Sequence, residues 1–330
     1  MRLPIIWGAA LVALWAPPRA RAQQVTDVRV RDANGQFDLW IPTPKRPDDN
    51  YTNGAQLFIG VDGALLWGRL FARHSPACAR ATDGADRRCA SSEIRFGQDM
   101  YTPRSALTAT EPVPGERPYA GWLYLAETGR LATARRSDAV TLELGVTGRP
   151  SLAEAIQTNW HSLIGYPRAL GWTHQIPFEP GILVAYEHRQ EVWRVRVGDV
   201  PIVSLVPAGN VSVGNVLTGA SVGMDARVGY AATTPWTSSE RRHRKPVALY
   251  ALAGAREDWI AYNLFLDHST TDPAVHVDKR SWVTQYDVGA GARLWMLELE
   301  FRGITRTREY ATDRPTEPYA VISVGWSGGW

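Results

Sequence analysis

The residues best placed to do chemistry lie in one stretch, Ser151-Leu-Ala-Glu-Ala-Ile-Gln-Thr-Asn-Trp-His-Ser-Leu-Ile-Gly165. Its pattern departs from the period of two seen along most of the chain and follows a helical period. On a helix Glu154, Gln157 and His161 fall at i, i+3 and i+7 and form one polar stripe, while Leu152, Ile156 and Leu163 are expected to supply apolar contacts. A neutral imidazole on such a fixed surface takes a proton from water as the water attacks an ester, and a glutamine one turn earlier orients the ring or the substrate. His161 is one of seven histidines. A lone histidine is more often structural than catalytic, so the helical context is what singles this one out.

Other catalytic signals are weak. Gly325-Trp-Ser-Gly-Gly329 satisfies the G-x-S-x-G expression, but a serine elbow needs a strand that enters a helix, and this string sits in a terminal strand pattern. The sequence has no Walker loop, no C-x-x-C and no H-E-x-x-H. Cys78 and Cys89 are the two cysteines. They flank a polar stretch without histidines at metal-ligand spacing, which reads as a local disulfide closing a loop.

The elements that must position His161 are read from its surroundings. Ser151 with Glu154 has the form of a capping box, and Gly165 marks the helix end. Outside the helix the sequence alternates. Leu297, Leu299 and Phe301 share one strand face against Glu298, Glu300 and Arg302, and Leu142, Leu144 and Val146 repeat the pattern. In residues 282–294 the positions Trp282, Thr284, Tyr286, Val288, Ala290, Ala292 and Leu294 oppose Gln285, Asp287 and Arg293. Ala320, Ile322, Val324, Trp326 and the terminal Trp330 share a parity, and a last strand ending on an aromatic resembles the terminal signal of bacterial outer-membrane barrels.

Alternation alone fits a soluble sandwich as well as a transmembrane barrel, which turns its apolar face to lipid and packs polar groups inside. The length of the segments, about ten residues, and the Trp and Tyr near their ends favour the barrel. About twelve strands begin near positions 25, 54, 92, 118, 139, 180, 200, 215, 246, 280, 296 and 319, the even number such barrels require. With both termini periplasmic, the Cys loop falls in the first periplasmic turn and the Arg-rich residues 234–245 in another. Residues 42–50, 102–117 and 149–178 then lie on the outer side. The fold class expected is therefore all-β, a single closed antiparallel transmembrane barrel with a short extracellular helix.

Composition agrees with this reading. The 330 residues include 14 Trp and 12 Tyr, with 45% hydrophobic and 21% charged residues, and a mean hydropathy of −0.24. Disordered and collagen-like classes are excluded, and past the first 22 residues no apolar run reaches the roughly 18 needed for a membrane helix. Residues 1–22 carry Arg2, an apolar stretch, Pro17-Pro18 and a small-x-small end at Ala20-Arg21-Ala22, the pattern of a cleaved secretory signal. The barrel domain then spans 23–330. The net charge of +3 equals the three arginines of that leader, so the remainder is neutral and gives no argument for nucleic acid.

Several strings together resemble the outer-membrane lipid A 3'-O-deacylase family. They are Arg46-Pro-Asp-Asp-Asn-Tyr-Thr-Asn-Gly54, Gly97-Gln-Asp-Met-Tyr-Thr-Pro103, Glu116-Arg-Pro-Tyr-Ala-Gly-Trp-Leu-Tyr124 and Leu142-Glu-Leu-Gly-Val-Thr-Gly148. The helix with Gln157 and His161 follows, then Gly171-Trp172, Gln175 and Glu179-Pro-Gly181. The resemblance implies a twelve-stranded barrel whose site lies between the outer rim and the extracellular helix. It implies calcium-dependent removal of the acyloxyacyl group at the 3' position of lipid A. The family's histidine base falls on His161, its helix glutamine on Gln157, and the threonine of its YT-x-G string on Thr52.

The departures are equally specific. Members carry an Asn-Asp pair ahead of that string, thought to hold the ion or the oxyanion. Here the match is Asp32-Ala-Asn34-Gly35, which keeps Asn34 as the metal-site residue but places glycine at the expected aspartate, weakening a site that prefers oxygen anions. The family lysine after the third strand has no clear equivalent, and Arg104 or Arg117 is the replacement for a phosphate contact. Three functions are weighed: an ester hydrolase acting on lipid A or another lipopolysaccharide, a catalytically degenerate barrel with a lipid-binding or structural role, and a porin. The partners expected are the outer membrane, lipopolysaccharide and the barrel assembly machinery, with no nucleic acid.

Overall fold

The structure is a computed structural model, and it describes residues 25–35, 50–78, 88–233, 245–267, 269 and 276–327. The leader, residues 234–244 and Trp330 lie outside the described residues. Among the described residues thirteen strands form one antiparallel sheet. They are β1 (Val25–Asn34), β2 (Asn50–Asp62), β3 (Cys89–Thr102), β4 (Ala120–Ala132), β5 (Arg136–Thr147), β6 (Pro180–Gln190) and β7 (Trp193–Val197). These are followed by β8 (Val200–Gly214), β9 (Leu217–Tyr230), β10 (Val247–Asn263), β11 (Trp282–Leu294), β12 (Leu297–Thr307) and β13 (Thr316–Ser327). Two α-helices accompany them, α1 (Gly68–Ala72) and α2 (Ala153–Ile164).

Twelve of the strands close a ring. Neighbours in sequence pair throughout, β1 joins β13 from Asp27↔Ser327 to Asn34↔Ala320, and β6 joins β8 directly from Leu183↔Gly214 to Arg189↔Ala208. The thirteenth, β7, is a five-residue tab paired only with the first part of β8. Every expected strand is present within a few residues of its expected start. The tab was not anticipated, because Trp193-Arg-Val-Arg-Val is too short to separate from a turn by pattern, and neither was the five-residue helix α1, since only one helix was expected.

The alternation resolves as a barrel requires. Along β11 the exposed residues are Trp282, Tyr286, Val288, Ala290, Ala292 and Leu294, while Gln285 and Arg293 are buried in the interior. Leu297, Leu299, Ile322, Val324 and Trp326 likewise face outward. Exposed aromatics collect at the two rims: Tyr186, Tyr230, Trp295 and Trp326 at the end where β1 begins and β13 ends, Trp259 and Trp282 at the other. Among the described residues no helix is long and apolar enough to cross a membrane.

Inside, long polar side chains fill the lumen. Arg302 meets Asp225, Asp287 and Glu300 at 3.2, 2.8 and 2.8 Å, Arg227 meets Glu300 at 2.9 Å, and Arg95 meets Glu143 at 2.6 Å. A cavity of about 640 Å³ remains among these charges. The mouth away from Val25 and Ser327, the expected outer side, is filled by the segment between β12 and β13. There Arg117 pairs with Glu309 at 3.2 Å and lies 4.3 Å over the Tyr101 ring, and Asn50 joins Asp313 and Tyr310. A mouth closed this way argues against an open pore.

At the other end, a disulfide joins Cys78 to Cys89, Cα to Cα 4.7 Å, in the connection between β2 and β3. The expected disulfide is formed, and its loop sits at the end of the barrel where β1 begins and β13 ends.

Candidate functional site

Helix α2 lies on the outside of the barrel, not in its lumen. Phe96 and Leu125 are exposed, so the even positions of β3 and the odd positions of β4 face outward. These are the positions that α2 and its flanking turns cover. Met100 packs with Ala106, Tyr119, Ala153 and Trp172, and the Gln98 side-chain amide donates to the Ser151 carbonyl. Gly121 permits the close approach: a Cβ there would stand 2.2 Å from Ser151 Oγ and 2.5 Å from Ala153 Cβ.

The helix begins differently from its sequence signature. Its N-cap is Leu152, in the left-handed region at φ 62°, and no side chain caps it. Ser151 belongs to a preceding 3-10 turn, and its hydroxyl donates to the Gly148 carbonyl at 2.6 Å. The capping box is therefore not formed, because the tight turn off β5 takes the serine hydroxyl first. Gly165 ends the helix as expected, at φ 69°, with its N–H donating to the His161 carbonyl.

Orientation is the second correction. The wall-facing side of α2 carries Ala153, Gln157 and His161. Leu152, Ile156 and Leu163, expected as packing residues, are exposed together with Trp160 and Ile164. The amphipathic helix is turned inside out relative to one on a soluble domain, as suits a helix whose surroundings are lipid and whose shielded side is a polar wall.

Both helix residues are held firmly. His161 is 2% exposed and Gln157 3%. The Nδ1 of His161 lies 2.7 Å from the Pro167 carbonyl oxygen, which only accepts, so Nδ1 carries the proton and the lone pair is on Nε2. Tyr166 packs edge-on at 4.9 Å. Gln157 accepts through Oε1 from the Trp172 indole at 2.6 Å, and Trp172 packs on Tyr119, ring centres 5.0 Å apart. The Tyr119 hydroxyl donates to the Ala106 carbonyl and accepts from the Gly171 N–H. Burial pushes the Tyr119 phenol above its ordinary range, so it stays neutral in both roles.

The wall half of the site is on the same outer face at the same end. A register shift between Tyr51 and Asn53 leaves Thr52 out of the β2–β3 pairing, and its hydroxyl meets that of Thr102 at 2.7 Å, both residues buried. Asn34 pairs across with Asn53. Val28 and Val30 are exposed, so Asp32 and Asn34 share their outward parity. Asp32 accepts from the Asn53 side chain at 2.7 Å.

The structure places His161 and Gln157 on the wall-facing side of α2, and Asn34 and Thr52 near the same rim on β1 and β2. Arg117 is not available to a phosphate: it is fully buried in the lumen plug and committed to Glu309. Arg104 follows β3 directly on the outer side, 3.9 Å from Glu116. Four contributors were not singled out from sequence: Asp32, Asn53, Thr102 and Trp172. For Asp32 the signal was present, since i and i+2 on a strand share a face with Asn34.

The family described as Outer membrane protein LpxR matches residues 7–327. The chain belongs to this family. Among solved structures it is similar to LpxR from Salmonella typhimurium, with a TM-score of 0.72 and 18% identity over 92% of this chain and 100% of that one. It also matches the β domain of the Bordetella autotransporter BrkA, with a TM-score of 0.44 and 11% identity over 93% and 100% of the two chains. No curated protein matches. As a member of the LpxR family with a closed twelve-stranded ring, it is an outer-membrane β-barrel.

Proposed function

We propose that the protein is an ester hydrolase of the lipid A 3'-O-deacylase type, acting on lipopolysaccharide within the outer leaflet. The observation that carries this is His161, buried between α2 and the outer face of the wall with its Nδ1 proton given to Pro167. A base so placed meets lipid from the side, at the level of the membrane, and is sheltered from the lumen by the wall itself. Nε2 takes the proton of a water as its oxygen attacks the acyl carbonyl, and returns it to the sugar oxygen as the acyl C–O bond breaks, so that the sugar leaves as its hydroxyl. Gln157, fixed by Trp172, orients the water or the ester. The hydroxyls of Thr52 and Thr102 supply donors on the wall side.

Among the described residues no group of three His, Cys, Asp or Glu could hold a metal ion. The donors that are present suit a hard cation nonetheless: the Asp32 carboxylate and the amide oxygens of Asn34 and Asn53, all on oxygen. Asp32 supplies the anion that glycine at position 35 does not. We assign these three residues to calcium, which when bound stabilises charge developing on the ester oxygen. Arg104 is the remaining side chain for a lipid phosphate. Export by a cleaved leader at 1–22 and insertion by the barrel assembly machinery belong to the same reading.

The test is mass spectrometry of lipid A from cells producing the protein, beside His161→Ala, with calcium present. The wild type is expected to remove one acyloxyacyl group and the variant none. No mass loss with the wild type would overturn hydrolysis and leave the lipid-binding barrel. Loss that persists in the variant would keep the activity and remove His161 as the base.

A further inference from the structure

At the opposite rim a second helix lies on the outside of the same two strands. Leu65 N–H donates to Ser92 Oγ at 2.9 Å, and Trp67 and Gly68 N–H donate to the two Glu127 carboxylate oxygens at 2.9 and 3.0 Å. Ser92 and Glu127 are outward positions by the same parity that places Phe96 and Leu125 in lipid. Gly68 and Gly129 touch through their backbones, the Cβ that Gly68 lacks falling 3.0 Å from Gly129 Cα. The small side of α1, Gly68 and Ala72, is buried on the wall.

Its other side is apolar and basic. Leu66 is 84% exposed and Leu70 72%, and Arg69 and Arg73, one turn apart, are exposed beside them. The depth is set by register. Gly129 pairs with Val140, which pairs with Tyr186, an exposed rim aromatic. The helix therefore lies at the lower edge of the lipid-facing band and continues it over Glu127 and Ser92, which would otherwise put polar groups against the membrane.

We propose that α1 is an interfacial anchor for phospholipid of the inner, periplasmic leaflet, with Leu66 and Leu70 among the acyl chains and Arg69 and Arg73 on anionic headgroups. Continuity with the lipid-facing wall and charge complementarity select this occupant over a periplasmic protein. The anchor does not depend on the catalytic reading.

Spin labels attached through Leu70→Cys, Leu125→Cys and Glu111→Cys test it, in the full barrel reconstituted with phosphatidylethanolamine and phosphatidylglycerol. The native cysteines are bonded to each other, and a heat-modifiable gel shift verifies that each labelled barrel has folded. The label at 70 is expected to be relaxed by oxygen more than by an aqueous nickel chelate, as at 125 in the lipid-facing wall and opposite to 111 on the outer loop. A label at 70 that follows 111 overturns the anchor. Exchanging phosphatidylglycerol for phosphatidylcholine, or introducing Arg69→Glu with Arg73→Glu, is expected to move the label at 70 toward the aqueous pattern. No change in either overturns the headgroup contact.

Discussion

His161 illustrates how an ordinary side chain acquires a role from its address. Its imidazole is tied at one nitrogen to a backbone carbonyl, which fixes ring orientation and tautomer without a carboxylate partner. If it acts as general base, His161→Ala lowers the deacylation rate by roughly 10²–10⁴-fold, measured as product formed from purified lipopolysaccharide. The Trp172 indole plays a positioning part, since its N–H tethers the Gln157 side chain. Trp172→Phe keeps an aromatic against Tyr119 but removes the donor, so kcat is expected to fall about fivefold to tenfold, the worth of one hydrogen bond, with KM little changed. Asp32→Asn tests the cation assignment: more calcium should be needed for half-maximal activity, while calcium well above that level restores the rate. Activity insensitive to this change would remove Asp32 from the site.

Helix α2 shows where local sequence and tertiary context part company. Its existence, its end at Gly165 and its polar stripe were legible, because a period of 3.6 among strands is distinctive and a glycine at positive φ is a strong stop. Its start and its orientation were not. Ser151 and Glu154 satisfy the capping spacing, yet the turn leaving β5 consumes the serine hydroxyl. The apolar residues Leu152, Ile156 and Leu163 read as packing residues only if the surrounding medium is water. In lipid the same pattern turns outward, and pattern alone does not name the solvent. Seating of the helix rests on Gly121. Gly121→Leu must displace Ser151 and Ala153, so activity should drop steeply while the barrel keeps its heat-modifiable gel shift. A variant with full activity would show that α2 need not rest on β4.

For the whole molecule, all twelve ring strands were readable because each has a single lipid-facing side, so period two persists around the barrel. The lumen plug was not readable, since Asn50 and Arg117 lie 263 and 192 residues from their partners Asp313 and Glu309 and meet them only once the ring has closed. This plug makes the outer mouth sensitive to acid. Burial alone would raise the Glu309 carboxyl, but Arg306 and Arg117 outweigh it and hold the group below its ordinary range. A lowered folded pKa contributes stability that is fully present above the unfolded value of about 4.3 and is lost as pH falls through the folded one. At pH 7, Glu309→Gln leaves Arg117 buried with its charge partner gone, at a cost of roughly 3–5 kcal/mol. The measured quantity is the urea midpoint of the folded barrel in lipid vesicles, for wild type and variant, from pH 7 to pH 3. The gap between the two is expected to be constant down to about pH 5 and to close below the glutamate range, as protonation makes the wild-type group resemble the amide. A gap that stays open in acid would show that the pair acts through packing over Tyr101 instead of through charge.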